Sequence, residues 1–106
     1  MMIEMIRVEI VHSVNKVPIR LTTERWLHIT EEHCELAGWR EEVLETVAFP
    51  TRIFAGGSGE LLAVREIQPG RHLVVVYREG AADGFIITAF ITSKTAALER
   101  RKQLWP

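Results

Sequence analysis

The run Arg71 to Thr92, RHLVVVYREGAADGFIITAFIT, decides the fold. Leu73 to Tyr77 and Phe85 to Ile91 are apolar at nearly every position and rich in Val, Ile, Phe and Tyr. Gly80, Asp83 and Gly84 between them are turn residues, so the stretch predicts a hairpin. Because neither run alternates, both strands are expected inside a sheet with much of both faces covered, and the rest of the chain has to provide the cover.

Working outward, Gln68-Pro69-Gly70-Arg71 has Pro second and Gly third, which suits a type II turn. Before it lie a strand at Leu61 to Ile67, the loop AGGSGE and a short strand at Thr51 to Phe54. The loop has the glycines of a phosphate-binding loop but neither the following Lys-Ser or Lys-Thr nor a helix, so it is read as a hairpin connection. Further back, Thr22 or Thr23 can cap a helix. On it Trp26, Ile29, Thr30, His33, Leu36 and Ala37 gather on one arc, with Glu24, His28, Glu31, Glu32 and Glu35 opposite. Gly38 interrupts the pattern, and a second short helix from Trp39 to Val47 has to stop before Pro50. Ile3 to Val11 alternates as a half-buried strand that Val17 to Leu21 can pair with, Pro18 confining that partner to an edge. The basic tail from Ser93 suits a short final helix or an arm that docks Trp105. The expected fold is therefore α+β: an amino-terminal strand or hairpin, one or two helices, then a four-stranded antiparallel meander with the helices on one face.

A length of 106 residues fits a single domain over 1–106, and 47% hydrophobic with 25% charged residues is an ordinary globular composition that argues against disorder and coiled coil. The net charge of −1 argues against tight, non-specific nucleic-acid binding. The charge is uneven, with −4 on residues 1–50 and +3 on 51–106, so the sheet half is the basic half. Cys34 is the only cysteine, which rules out an internal disulfide and a multi-cysteine metal site. The opening MMIEMIRVEI, with Glu4 and Glu9 in it, is far too short an apolar run for a membrane span and lacks the basic end and small-residue cleavage site of a signal peptide, so a cytoplasmic protein without membrane contact is expected.

Neither a metal nor a cofactor site is indicated. His28 and His33 are five apart, about 140° around a helix, and fit no zincin spacing. Cys34 beside His33 diverges from it by about 100° on a helix, so the pair is read as buried packing rather than a nucleophile with its base.

The ordered segments RWLHI, EEH with CELAG, ETVAFPTRI, HLVVVYRE, GFIITAFIT and LWP resemble small bacterial proteins of the phage barnase-EndoU-colicin-RelE-like nuclease grouping, over about Leu21 to Pro106. The family shows His-Pro where this chain has His33-Cys34, so the usual proline stop after the first helix is missing. The resemblance implies a helix-then-strands fold related to metal-independent ribonucleases of toxin type, with RNA as substrate and a protein inhibitor as partner. Such cleavage needs a base, an acid and donors for the charged phosphorane, and histidine suits either proton role. His33, on the sheet-facing arc, is the first choice and His28, which matches the family's first histidine, the second. Arg65 supplies charge, with Arg71, Arg78 and Lys94 beside it, and Tyr77, Thr88 and Thr92 supply hydroxyls. His72 can join this set. On simple alternation Thr88 shares a face with Ile86, Phe90 and Thr92. The competing expectation is a non-catalytic protein-binding or regulatory module in which His33 is a core histidine and the threonines are simply good strand formers.

Overall fold

A computed structural model describes residues 7–106; the first part of the alternating amino-terminal run, Ile3 to Ile6, lies outside the described residues. Strands β1 (Val8–His12) and β2 (Pro18–Thr22) form an antiparallel hairpin. Helix α1 (Thr23–Glu32), a single 3₁₀ turn (Cys34–Leu36) and helix α2 (Arg40–Ala48) follow. Next come β3 (Arg52–Ala55), β4 (Leu61–Gln68), β5 (Arg71–Glu79) and β6 (Gly84–Thr92), then helix α3 (Ala96–Glu99) and β7 (Gln103–Trp105). All seven strands make one sheet in the order β1-β2-β6-β5-β4-β3-β7.

A four-stranded antiparallel meander with the helices on one face is therefore overturned. Neighbours from β3 to β6 pair antiparallel, but β2 joins the outer side of β6 in parallel, and the sheet is mixed and seven-stranded. The parallel contact rests on two residue pairs, Ile19 with Gly84 and Arg20 with Phe85. Pro18 does not hold β2 at an edge. It is the first residue of the strand, opposite His12, and β6 pairs only with the residues after it, so its missing N–H costs no ladder bond there. The tail supplies both a short helix and an edge strand, β7, which pairs with β3.

Alternation divides the sheet into two faces. On one, Leu73, Val75, Tyr77, Ala63, Ile86 and Ala89 pack with Trp26 and Ile29 of α1, Leu36 of the 3₁₀ turn, and Val43 and Val47 of α2. On the other, Phe54, Leu62, Val64 and Val74 pack with Leu98 of α3, so helices lie on both faces. Local chemistry sets the ends of α1. The Thr22 hydroxyl accepts from the Arg25 N–H at 3.0 Å, and Glu24 lies in the positive first turn. The helix closes at His33, whose N–H donates to the Ile29 carbonyl at 2.8 Å. After the 3₁₀ turn, Gly38 takes a φ of +85°, a left-handed conformation that glycine adopts without cost, and α2 begins.

Candidate functional site

The face of β6 turned away from α1 and α2 owes its residues to a bulge. Val76 pairs with Thr88 and Tyr77 with Ile86, so Ile87 is an extra residue between two ladder pairs. Ile86 thus stays in the core under the helices, while Thr88, Phe90 and Thr92 point to the second face beside Val76, Val74 and His72. Simple alternation, which groups Ile86 with Thr88, is corrected by that one residue.

Beyond Phe85 the outer side of β6 is no longer paired to β2, and α1 borders it instead. Arg25 donates from Nη1 to the Ile87 carbonyl across 3.5 Å, at the bulge. The His33 ring lies 6.3 Å from the Phe90 ring, tilted by 37°. Because α1 ends at Glu32, His33 leaves the helical arc and turns to the β6 border; its side chain is 33% exposed and its Nδ1 is 3.7 Å from a Glu35 carboxylate oxygen. His72 faces Thr92 across the ladder, so the strand positions beside the two imidazoles are two residues, roughly 7 Å, apart. Among the described residues, His72 Nδ1 and Thr88 Oγ1 are buried without a hydrogen-bond partner. Thr92 Oγ1 accepts from the Lys94 N–H at 3.0 Å. His33, Thr88, Thr92 and His72 are thus gathered along one strip: two imidazoles and two hydroxyls, that of Thr92 also donating to the Lys94 carbonyl at 3.4 Å and that of Thr88 buried.

The other sequence-predicted residues lie elsewhere. Arg65 is paired with Leu73 on the helix-covered face, and its Nη2 is 3.7 Å from Glu45 of α2. Tyr77 is fully buried in that same core, and burial first, the Glu79 charge second, push its phenol well above the ordinary value. Its hydroxyl has no hydrogen-bond partner among the described residues. His28 is on the outer surface of α1, 3.8 Å from both Glu31 and Glu32. Cys34 is exposed rather than buried, which removes the packing role expected for it. No three His, Cys, Asp or Glu side chains gather as metal ligands among the described residues.

Residues not anticipated from sequence stand at the start of β6. Phe85 is 42% exposed on the second face, with Arg20 of β2 and Arg78 of β5 as its ladder neighbours on either side. Shallow depressions adjoin it, one lined by Arg20, Thr22, Arg25 and Ile86, the other by Arg20 again with Arg78, Glu79, Asp83 and the glycines Gly59 and Gly80. The available signal was Phe85 directly after the turn residues Asp83-Gly84, where a strand is entered and its cover ends. No helix among the described residues is long and apolar enough to cross a membrane. No protein-family model matches the sequence, and neither curated proteins nor solved structures yield a relative.

Proposed function

We propose that this is a cytoplasmic, metal-independent ribonuclease-like protein of toxin type that works on RNA laid along the second face of β6. The observation that carries this reading is the strip itself: His33 beside Phe90, His72 opposite Thr92, and Thr88 with a buried hydroxyl that has no partner among the described residues. One imidazole takes the proton of a 2′-hydroxyl, the other gives a proton to the leaving 5′ oxygen, and Arg25 donates to the phosphorane. The ordered segments that resemble the nuclease grouping point the same way. The products are a 2′,3′-cyclic phosphate end and a free 5′-hydroxyl.

A second reading, a binding module that uses this face without catalysis, is favoured by the withdrawal of Arg65 to Glu45 and of Tyr77 into the core, which takes two of the expected phosphate-binding groups away from the strip. One experiment separates them. Purified protein is incubated with single-stranded RNA and transfer RNA in EDTA and the ends are analysed. Catalysis predicts cyclic-phosphate ends and a loss of about 10²- to 10⁴-fold in rate for His33→Ala and for His72→Ala, with thermal melts showing both variants folded. Intact RNA at high protein concentration moves the assignment to the binding module.

A further inference from the structure

We infer that Phe85, with Arg20 and Arg78 on either side, is a stacking subsite for one unpaired nucleobase of an RNA strand, with the adjoining phosphates on the two arginines. The inference rests on the proposed RNA-directed function and adds to it a place, distinct from the His33 strip, where the strand is gripped. Three neighbouring strands set Arg20, Phe85 and Arg78 in a row by register, so the two arginines stand about two strand spacings, roughly 10 Å, apart with the ring between them. A phenyl face that is 42% exposed on a rigid sheet gives a base a flat apolar contact at little cost in ordering. The flanking guanidiniums are already oriented. Arg78 Nη1 donates to the Ser58 carbonyl at 3.1 Å, which holds its position without cancelling its charge.

Three carboxylates border the row, and each is partly engaged; Glu79, which lines the depression beside Arg78, accepts from Asn15 Nδ2 at 2.8 Å. Asp83 accepts from Arg20 Nη1 at 2.6 Å, so a phosphate at Arg20 has to share that guanidinium. Glu60 accepts from the Ser58 N–H at 2.7 Å; backbone hydrogen bonds, its own and that of Ser58, are the main reason its carboxyl sits below the ordinary value. The floor beside Arg78 is lined by Gly59 and Gly80, which project no side chain into the depression. Gly59 has a φ of +91°, so a side chain there would be strained as well as obstructive. An acidic peptide without aromatic residues meets the charge of the arginines but brings no flat ring to Phe85, whereas every nucleotide of an RNA strand brings both a charge and a planar base. Thr88, Phe90 and Thr92 follow Phe85 along β6 on the same face, at right angles to the row of Arg20, Phe85 and Arg78, so the subsite and the strip share one open surface.

The test uses a single-stranded, fully 2′-O-methylated oligonucleotide, which cannot be cleaved, in fluorescence anisotropy at low salt with the full-length protein. Wild type is expected to bind it at least tenfold more tightly than the duplex of the same sequence. Phe85→Leu, which keeps an apolar side chain and removes the aromatic face, is expected to weaken binding roughly ten- to a hundredfold. Arg78→Gln is expected to weaken it less and to flatten the salt dependence by about one phosphate contact. Melting temperatures within a few degrees of wild type certify each variant. The inference is overturned by absence of wild-type binding, by Phe85→Leu binding as wild type does, by equal weakening toward single strand and duplex, or by polyglutamate competing as well as the oligonucleotide. Since no cleavage is possible with this probe, binding through Phe85 together with intact natural RNA overturns the catalytic reading alone. Cleavage of natural RNA that is indifferent to Phe85→Leu overturns the subsite alone.

Discussion

The two faces of this sheet are built from alternate residues of the same strands, yet they end in opposite states. Under α1 and α2 the face is closed: Leu73, Val75, Tyr77 and Ile86 are essentially inaccessible, and Arg65 is turned to a carboxylate of α2. The second face is closed only where α3 covers it with Leu98; toward β1 it stays open, with Val8, Ile10 and Phe85 all exposed. The difference follows from the amount of cover. Two helices and a 3₁₀ turn span one face, whereas the four-residue α3 covers part of the other. A polar group on the closed face has to find a partner or stay a liability, while a polar group on the open face is available to a ligand.

The sharpest way to break this comparison is to delete one large side chain from each face. Trp26 of α1 packs in the closed core at 9% exposure, so Trp26→Ala is expected to cost about 3 to 5 kcal/mol in denaturant unfolding. Phe85→Ala removes a side chain that water already reaches and is expected to cost about 1 kcal/mol or less. Equal costs for the two would mean that the second face is covered in solution.

Which parts of this arrangement the sequence shows depends on how many residues carry each signal. The β5–β6 hairpin and α1 were legible because nine-residue apolar strands and a Thr cap ahead of an amphipathic arc repeat their message at several positions. The parallel joint of β2 to β6 rests on two residue pairs with most of the chain between them, and nothing local in Pro18–Thr22 announces it. The bulge at Ile87 is a single residue within a run of apolar side chains, yet it decides which of Ile86 and Thr88 faces the core. The candidate site suffered from the same cause. His33 and the threonines could be placed near the sheet, but assigning Arg65 and Tyr77 to the same side required knowing which alternate set the helices cover.

A finer test concerns Arg65. If it serves only the closed face, Arg65→Gln removes a partly exposed ion pair with Glu45 and is expected to change stability by about 0 to 1 kcal/mol, less at high salt. RNA binding should be unchanged by it, in contrast to Arg78→Gln on the open face. Loss of binding in Arg65→Gln matching that of Arg78→Gln would place the RNA on the wrong side of the sheet in the present assignment.

The smallest effect at neutral pH is expected at Tyr77, and pH makes it measurable. Its hydroxyl is buried with no hydrogen-bond partner among the described residues, so Tyr77→Phe removes a poorly satisfied polar atom and keeps the ring; stability at pH 7 should shift by less than about 1 kcal/mol in either direction. Burial and then the Glu79 charge raise the phenol in the folded state above the ordinary value of about 10 that it has when unfolded. A raised value means that, above about pH 10, the folded protein keeps a proton that the unfolded chain loses. The contribution is therefore intact below about pH 10 and is lost as the pH rises toward the folded value, by about 1.4 kcal/mol at pH 11. Tyr77→Phe lacks that loss, so the two stability curves should diverge above pH 10 with the variant the more stable. Tyr77 is the only tyrosine in the chain, which lets tyrosinate absorbance follow this one group. Ionisation near pH 10 in protein that is still folded would mean that water reaches the phenol and that the closed face is open at this point.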